Sequence, residues 1–505
     1  MNKLLIEKIL TARVYDVAKE TPLEYAKSLS TRCNNHIFLK REDLQAVFSF
    51  KLRGAFNRMF LLSDEAKANG VIAASAGNHA QGVALSGTKL GISTTIVMPK
   101  ITPDIKVKGV ESWGGRAILY GNNFDEAYAH ALELAEKNNL TFLHPFDDID
   151  VIAGQGTIGM ELLRQHPDPI DMVFIAVGGG GLIAGIASYI KYLSPSTKII
   201  GVEHTEAASM YESFKQGKRV TLKQIGFFAD GAAVKQVGEN TLAIARNVVD
   251  EIITVTTDET CAAIKDVFED TRTLLEPAGA LATAGLKKYL SQHHHVQDQQ
   301  LISICSGANI SFDRLRHVAE RAELGEKREA LIAVTIPEKP GSFREFCKAI
   351  SNRGITEFNY RYSDSHEAQV FAGVKLNHGE EEKQQLLAEL RSKEYSVEDL
   401  SDDELAKTHL RFMVGGHAQG ASNEVLYRFI FPEHPGALLH FLTSMGGKWN
   451  ISLFHYRNHG SDFGRVLVGI QVPPEERKEF CDFLNKLAYD YKDETENPAY
   501  QRFLR

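Results

Sequence analysis

Residues 172–185 read MVFIAVGGGGLIAG, in which a short apolar run leads through four glycines into a second apolar stretch. This pattern predicts a buried β-strand that turns directly into a helix. Successive glycines let backbone N–H groups approach an anion closely, and a helix N-terminus favours negative charge. A tight turn would account for one or two glycines but not for four, so the stretch predicts a phosphate-binding loop.

The same loop also fits a dinucleotide-binding fingerprint. Gly179, Gly181 and Ala184 satisfy the pattern GxGxxA. Glu203 follows on the next predicted strand, about where a ribose-binding acid would lie. A nicotinamide-dependent dehydrogenase is therefore an alternative on this evidence alone.

Seven other apolar segments before residue 310 also predict strands. They are HIFLK, GVIAAS, TTIVMP, RAILYG, TKIIGVEH, EIITVT and LISICSG. Near-continuous apolar runs are typical of parallel strands covered by helices on both faces, and helix-length connections separate these runs. We expect an α/β fold with right-handed crossovers. Because eight or more strands are many for one compact sheet, we expect two lobes that share a cleft.

The composition is that of a globular protein, with 43% hydrophobic and 24% charged residues among 505. The length suits roughly three domains. The net charge of −8 gives no basic footprint for nucleic acid, and no apolar run approaches the ~18 residues of a membrane helix. Five scattered cysteines form no CxxC pair, so neither a disulfide framework nor a zinc site is indicated. A reducing, cytoplasmic location is therefore expected.

The last third of the chain contains an internal duplication. ALIAVTIPEKPGSFREFCKAI begins at Ala330 and VLYRFIFPEHPGALLHFLTSM at Val425. Their proline-glycine pairs, Pro340-Gly341 and Pro435-Gly436, lie 95 residues apart. Matching strands follow in both copies, so each copy predicts a ferredoxin-like β-α-β-β-α-β module. The predicted domains are residues 1–322, an exposed charged connector at 323–329, and modules at 330–402 and 425–497.

Two more polar loops follow predicted strands, ASAGNHAQGVA from residue 74 and CSGAN from residue 305. The first contains Ser75, Gly77, Asn78 and His79. Its amides could hold a carboxylate and Asn78 could donate to an anionic oxygen, although a simple helix cap is credible too. CSGAN places Ser306 at the end of the last strand. Because ligands collect at the carboxyl ends of parallel strands, the three loops are expected to face one cleft.

Lys51 lies between apolar neighbours in SFKLRG, residues 49–54. Most lysines are solvated, but a desolvated lysine loses its charge more readily and can form a Schiff base. A Schiff-base lysine, a phosphate loop and a polar partner for a ring nitrogen together make a pyridoxal phosphate site. The dehydrogenase alternative leaves Lys51, Asn78 and Ser306 without a role.

The motifs SFKLRGA, SAGNHAQG, GGGGL, EPAGA and SGAN, in this order and spacing, resemble the fold-type II pyridoxal phosphate enzymes. Within these, they are similar to the threonine dehydratases. The resemblance covers residues 1–322, and the duplicated part resembles the paired ACT-like regulatory domain of the biosynthetic form. The implied architecture is a two-lobed α/β catalytic domain with mostly parallel sheets, followed by two ferredoxin-like α+β modules.

The resemblance implies a role for each matching residue. Lys51 would hold pyridoxal 5′-phosphate as a Schiff base and abstract the substrate α-proton. Asn78 would bind the 3′-oxygen of the cofactor ring, and Ser306 its nitrogen; a neutral serine need not keep that nitrogen protonated, which suits β-elimination. The phosphate would lie on Gly178, Gly179, Gly180, Gly181 and the amide of Leu182. The substrate carboxylate would lie against Ser75, Ala76, Gly77 and His79.

The implied reaction is the conversion of L-threonine to 2-oxobutanoate and ammonia, the first committed step of isoleucine biosynthesis, with L-serine as a further substrate. The modules imply isoleucine and valine as effectors. Candidate effector contacts are Phe358, Tyr360, Phe454 and Tyr456. Strand-core packing explains these aromatic residues equally well. The usual assembly of the family is a homotetramer.

Related racemases and dehydratases carry a divalent cation in the loop that follows the strand GVE. The corresponding stretch here is GVEHTEAASM, with Glu203 present but Ser209 where those relatives show an acidic ligand. A hard cation needs several oxygen ligands with charge among them. We expect no tight metal site and a structural role for Glu203.

Two alternatives share part of these features. A serine dehydratase or racemase would have the same catalytic core but would not normally need the duplicated tail. A non-catalytic amino-acid sensor could use the tail alone, but the complete set of cofactor residues argues against it.

Overall fold

The computed structural model describes residues 3–350, 353–363, 365–418, 420–432, 437–457, 463–487 and 489–504. The chain forms two compact units, Met1–Ala322 and Glu323–Arg505. Within the described residues, no helix is both long enough and apolar enough to cross a membrane.

The first unit is built on two sheets. Their strands are β1 (Leu23–Tyr25), β2 (His36–Arg41), β3 (Val71–Ala74), β4 (Thr94–Met98), β5 (Arg116–Leu119), β6 (Thr141–Phe142), β7 (Met172–Ala176), β8 (Lys198–His204), β9 (Glu251–Val255) and β10 (Gln300–Cys305). One sheet has the order β1-β2-β10-β7-β8-β9, and the other has the order β5-β4-β3-β6. Among the described strands of this unit, only β1 pairs antiparallel to its neighbour. The predicted two-lobed arrangement of mostly parallel sheets is confirmed.

Helices connect these strands. They are α1 (Lys3–Leu10), α2 (Lys27–Cys33), α3 (Lys51–Phe60), α4 (Asp64–Asn69), α5 (Asn78–Leu90), α6 (Asp104–Ser112), α7 (Phe124–Lys137), α8 (Ile149–Gln165), α9 (Gly181–Leu193), α10 (Ser209–Lys215), α11 (Glu239–Val248), α12 (Thr257–Thr271), α13 (Pro277–Gln292) and α14 (Arg314–Gly325). Every residue of β3 and β7 is buried, as continuous apolar runs predict. Helices α8 and α9 approach closely, since a Cβ on Gly185 would lie 2.5 Å from the carbonyl oxygen of Ile152.

The second unit is one antiparallel sheet of eight strands with helices between them. The strands are β11 (Glu329–Pro337), β12 (Ile355–Arg361), β13 (Glu367–Lys375), β14 (Ser396–Asp399), β15 (Glu424–Pro432), β16 (Asn450–Arg457), β17 (Phe463–Gln471) and β18 (Asp490–Asp493). The helices are α15 (Ser342–Ala349), α16 (Gly379–Ser392), α17 (Glu404–Thr408), α18 (Ala437–Met445), α19 (Arg477–Leu487) and α20 (Pro498–Phe503). The strand order is β14-β11-β13-β12-β16-β17-β15-β18, so two β-α-β-β-α-β copies join through β12 and β16.

The charged segment at residues 323–329, predicted as an exposed connector, contains the ends of two elements. Helix α14 continues to Gly325, and β11 begins at Glu329. Lys327 and Arg328 are exposed, whereas Glu329 is buried. Thr356 donates a hydrogen bond to the Glu329 carboxylate, and Arg411 lies 3.4 Å from it.

The turn that opens each module contains a proline-glycine pair in the sequence. In the first module Gly341 has a φ of 93°, a left-handed conformation that favours glycine, and α15 begins at the next residue. In the second module Pro435 and Gly436 lie outside the described residues, and α18 begins at Ala437.

Four fully buried charged side chains lie beneath the start of α3. Lys40, Glu42, Arg53 and Glu161 form this buried quartet. Arg53 donates to Glu42 Oε1 at 2.8 Å and to Glu161 Oε1 at 2.6 Å. Lys40 Nζ donates to Glu161 Oε2 at 2.5 Å. Burial raises the pKa of Glu42, but Arg53 and Lys40 outweigh that effect and the net shift is downward. Two cations thus balance two carboxylates, and they connect β2, α3 and α8.

Replacing Glu161 by glutamine would leave Arg53 and Lys40 with a single carboxylate. We expect the free energy of unfolding to fall by about 3–5 kcal/mol, the range for removing one partner of a buried ion pair. Urea unfolding followed by fluorescence measures this in a Trp449→Phe background. Trp113 is then the remaining tryptophan and reports on the first unit.

The matched control is Glu20→Gln, which removes the exposed ion pair between Glu20 and Arg164. Exposed pairs contribute about 0–1 kcal/mol, so this variant should unfold almost as the parent does. Coincident unfolding curves for the Glu161 and Glu20 variants would contradict the contribution to stability that we assign to the buried quartet.

Candidate active site

The loops after β3, β7 and β10 meet through shared contacts. Asn309 Nδ2, after β10, donates to Asn78 Oδ1, after β3, at 2.7 Å. Gly178, after β7, packs on Ala232, where an added Cβ would lie 2.8 Å from the carbonyl oxygen. Ala232 belongs to the short 3-10 turn Asp230–Ala232. The same turn contains Gly231, whose carbonyl oxygen accepts a hydrogen bond from Lys51. The polar loops that were predicted to face one cleft therefore lie close together.

Lys51 is the first residue of α3, and its side chain is only partly exposed. Its Nζ donates to the carbonyl oxygen of Gly231 at 2.9 Å. No carboxylate among the described residues lies within ion-pair distance of this amine. Burial lowers the pKa of Lys51, and the carboxylates of Glu276 and Asp230 offset this only in part. The neutral amine is the form that attacks a carbonyl carbon, so the surroundings favour Schiff-base chemistry.

The glycine loop, residues 178–181, has no room for side chains. Gly180 has a φ of 94°, a conformation that favours glycine. A Cβ on Gly179 would lie 2.1 Å from the ring of Phe146. The carbonyl oxygen of Gly179 accepts a hydrogen bond from Thr241 Oγ1 at 2.7 Å, which ties the loop to α11.

The backbone donors of this loop are free. Within the described part of the chain, no group accepts a hydrogen bond from the backbone N–H groups of residues 178–182. These residues lead into the first turn of α9, where N–H groups have no partner inside the helix. Five unsatisfied donors at a helix N-terminus are suited to a phosphate group.

Ser75, Ala76 and Gly77 are partly exposed and lead into α5. No atom lies within 4 Å of the position that a Cβ on Gly77 would occupy. The ring of His79 is buried instead, and its Nε2 donates to the carbonyl oxygen of Leu143 at 3.1 Å. Burial lowers the pKa of His79 to about 3, so the ring is neutral near pH 7. Any contribution of His79 to a carboxylate site would therefore come from its backbone N–H.

Asn78 and Ser306 are both buried. Asn78 accepts a hydrogen bond from Asn309 and donates one from Nδ2 to Glu276 Oε1 at 2.6 Å. Ser306 Oγ reaches its acceptor, the carbonyl oxygen of Ala278, only at 3.4 Å. The serine hydroxyl is therefore weakly held and available for a stronger partner.

Sequence reasoning assigned no role to three residues that contact the site, Glu276, Gly231 and Asn309. Glu276 and Asn309 lie inside quoted motifs, EPAGA and SGAN, and an acidic residue before a helix-opening proline was a usable signal. Gly231 lies in no motif. The structure alone places its carbonyl oxygen beside Lys51.

Glu203 is buried on β8 and serves the start of α10. Its Oε1 accepts from the N–H of Met210 at 2.8 Å and its Oε2 from the N–H of Tyr211 at 2.7 Å. Among the described residues, no group of three or more potential metal ligands occurs. Ser209 Oγ is buried without a hydrogen-bond partner in the same described part. Both oxygens of Glu203 are thus engaged by the backbone, which agrees with a structural role, while the expected lack of a metal stays a prediction.

The four aromatic residues expected to contact an effector lie where β12 meets β16. Phe358, Tyr360, Phe454 and Tyr456 are all buried. The rings of Phe358 and Phe454 pack edge to face with centroids 5.3 Å apart. Tyr360 donates a hydrogen bond to Glu338, whose Oε1 also accepts from Asn450 at 2.8 Å. The phenylalanines fill the core, so their effector role stays a prediction, and the accessible polar groups lie beside Tyr360.

Family comparisons match both parts of the chain. The family described as pyridoxal-phosphate dependent enzyme matches residues 14–307. The C-terminal regulatory domain of threonine dehydratase matches twice, at residues 320–410 and 415–504. The dehydrogenase alternative is therefore wrong, and GxGxxA occurs here inside a pyridoxal phosphate fold.

Individual relatives cover almost the whole chain. The L-threonine dehydratase biosynthetic IlvA of Burkholderia multivorans is 53% identical over 99% of this chain and 99% of its own length. The protein of the same name from Escherichia coli is 52% identical over 99% and 96%. Among solved structures, the processed form of threonine deaminase isoform 2 from Solanum lycopersicum has a TM-score of 0.62 and 51% identity, covering 64% of this chain and 88% of that one. Maize serine racemase has a TM-score of 0.58 and 32% identity, covering 62% and 96%.

Gly179→Ala would place a methyl group in the space that the ring of Phe146 occupies. We expect the first unit to lose about 1–3 kcal/mol of its free energy of unfolding, as is usual for overpacking. Gly109→Ala, inside α6, is the control, because the nearest atom to its Cβ would be 3.8 Å away. Alanine should stabilise that helix by up to about 1 kcal/mol. Urea unfolding with Trp113 fluorescence measures both changes. Equal changes in the free energy of unfolding would contradict the claim that the loop has no room for a side chain at Gly179.

Proposed function

Because the chain belongs to the biosynthetic threonine dehydratases, pyridoxal phosphate enzymes with a duplicated C-terminal regulatory domain, we propose that it converts L-threonine to 2-oxobutanoate and ammonia. Its cofactor is pyridoxal phosphate. One observation supports the proposal most. The amine of Lys51 donates a hydrogen bond to the carbonyl oxygen of Gly231, and the adjoining Ala232 packs on the glycine loop.

The residues of the cleft fit this cofactor. The N–H donors of residues 178–182, which have no acceptor among the described residues, would hold its phosphate. Lys51 would hold it covalently, Asn78 would bind the 3′-oxygen, and Ser306 would bind the ring nitrogen. When bound, pyridoxal phosphate withdraws electrons from the substrate α-carbon and makes its proton acidic.

The protein groups supply binding and proton transfer. The partly exposed backbone of Ser75, Ala76 and Gly77, at the start of α5, would bind the substrate carboxylate, with the N–H of His79 beside it. The Nζ of Lys51, with its lowered pKa, would take the α-proton, since a base works best when its pKa lies near the working pH. The uncharged Ser306 would not favour a protonated ring nitrogen, which suits prompt loss of the β-hydroxyl.

Activity towards L-serine belongs to the same proposal, because serine carries the same leaving hydroxyl and lacks only the methyl group. An apolar pocket discriminates between two substrates that differ by one methyl group by only ~1–3 kcal/mol. The first unit alone resembles serine racemase, but the duplicated second unit favours a regulated biosynthetic enzyme. We therefore place the reaction at the start of isoleucine synthesis. Assembly as a homotetramer and a cytoplasmic location remain predictions.

Isoleucine and valine are the proposed effectors, and the second unit is their proposed site. A cavity of about 10 Å³ there is lined by Gly341, Phe343, Leu442 and Trp449, beside Asn450. Asn450 donates to Glu338, which also accepts a hydrogen bond from Tyr360. A cavity of this size holds about one water, so an amino-acid effector would have to widen it on binding. An effector changes activity only if it binds one conformation better than another.

Lys51→Ala removes the amine that would hold the cofactor and take the proton. We expect loss of the visible absorbance of bound pyridoxal phosphate and a fall in threonine turnover of more than about a thousandfold. Spectra before and after addition of L-threonine, with assay of 2-oxobutanoate, measure both. Lys89→Ala, an exposed lysine on α5, is the control and should keep both properties. Unchanged absorbance and turnover in the Lys51 variant would remove the basis of the proposal.

Truncation after Gly325, the last residue of α14, removes the second unit. The tomato structure covers 64% of this chain, close to the first unit alone, so the shortened protein is expected to fold. We expect threonine turnover to persist and inhibition by isoleucine to disappear. Dose–response curves for isoleucine on the full and shortened chains provide the measurement. Inhibition that survives truncation would locate the effector in the first unit.

A further inference from the structure

Glu276 is a buried carboxyl group with no role in the proposal so far. It precedes α13, and its backbone N–H donates to the carbonyl oxygen of Gly307 at 3.2 Å. Its side chain is 4% exposed. Among the described residues its carboxyl group has one hydrogen-bond partner, Asn78 Nδ2, and no cation within ion-pair distance. Burying a carboxyl group in this way is costly, and a helix cap alone would be met by serine or aspartate.

The Asn78 side chain is held from both sides. Glu276, an acceptor, faces its Nδ2 at 2.6 Å, and Asn309 Nδ2, a donor, faces its Oδ1 at 2.7 Å. Asn309 also donates to the carbonyl oxygen of Val47 at 2.8 Å, which fixes the donor. An acceptor on one side and a donor on the other permit one orientation of an amide. Within the part of the chain that the structure describes, the second hydrogen of Asn78 Nδ2 has no acceptor.

Glycines bring this pair next to the reacting amine. A Cβ on Gly307 would lie 2.6 Å from Glu276 Oε1, and one on Gly231 would lie 3.1 Å from the same oxygen. The carbonyl oxygen of Gly231 accepts the hydrogen bond of Lys51. Burial and Asp230 raise the pKa of Glu276 to about 7, against the lowering effects of Asn78 and Lys51. Such perturbed groups are concentrated at functional sites.

We propose that Glu276 is a positioning residue that, with Asn309, fixes the amide of Asn78 so that its free N–H points to the 3′-oxygen of the cofactor. This inference rests on the proposed function, since it takes the Asn78 contact from there. The hydrogen bond, not the charge, does the positioning. Glutamine at position 276 can accept the same bond, whereas alanine cannot.

The test is the binding of pyridoxal phosphate to apoprotein, followed by absorbance. We expect Glu276→Ala to raise the dissociation constant by about tenfold, the effect of losing one well-placed hydrogen bond to a buried group. Glu276→Gln should stay within about threefold of the parent because the acceptor is kept. In the loaded enzyme, Glu276→Ala should lower kcat for threonine with KM little changed. Asn309→Ala should also weaken cofactor binding, and it carries the test if Glu276→Ala does not fold.

Asp266→Ala is the matched control, since this buried carboxylate on α12 pairs with Arg32 and Lys287 away from the site. It should lower the thermal midpoint of the apoprotein without changing cofactor affinity. Equal loss of affinity in the Gln and Ala variants at position 276 would show that charge matters and would overturn the inference. Parent-like affinity of Glu276→Ala would overturn it while leaving the proposed function intact. Failure of the parent protein itself to bind pyridoxal phosphate would overturn both.

Discussion

The buried quartet is the constraint on which the first unit depends most. Arg53 lies two residues after Lys51 on the same helix, and its guanidinium bridges Glu42 and Glu161. A buried guanidinium needs carboxylates in fixed positions, so the first turn of α3 cannot move relative to β2 and α8 without separating charges. Lys51, at the start of that turn, is thereby held against Gly231. The chain buries balanced charge beneath the helix, and at the start of that helix the amine of Lys51 has no carboxylate within ion-pair distance among the described residues.

Features that depend on neighbouring residues could be predicted from the sequence, but contacts between residues far apart in the chain could not. The strand MVFIA and the four glycines after it predicted a buried strand, a turn and an anion site, because neighbouring residues determine all three. The contact between Asn78 and Glu276 spans 198 residues, and no local pattern indicates it. The hydrogen bond from the His79 ring to the carbonyl oxygen of Leu143 spans 64 residues and is likewise not indicated locally. The ion pair of Glu329 with Arg411 is not visible locally either, since the two residues are far apart in sequence.

The second unit shows the same division. Each copy of the duplication carries its own strand and helix pattern, so the modules could be predicted one at a time. How the copies pair depends on which edges remain open, and pairing β12 with β16 closes one edge of each. This places Tyr360 opposite Phe454 and buries the aromatic residues that the sequence analysis proposed as effector contacts. A ligand beside Tyr360 and Asn450 would contact both modules, which gives it a means to favour one arrangement of the pair.

The central claim is that Lys51 holds pyridoxal phosphate. Borohydride reduction of the purified protein fixes a cofactor to the lysine that carries it, and mass spectrometry of the digested protein identifies that residue. A pyridoxyl group on Lys51 alone, in a smaller amount when the reduction is made during turnover of excess L-threonine, is the predicted result. Labelling of another lysine, or of none after incubation with pyridoxal phosphate, would contradict the assignment of the site.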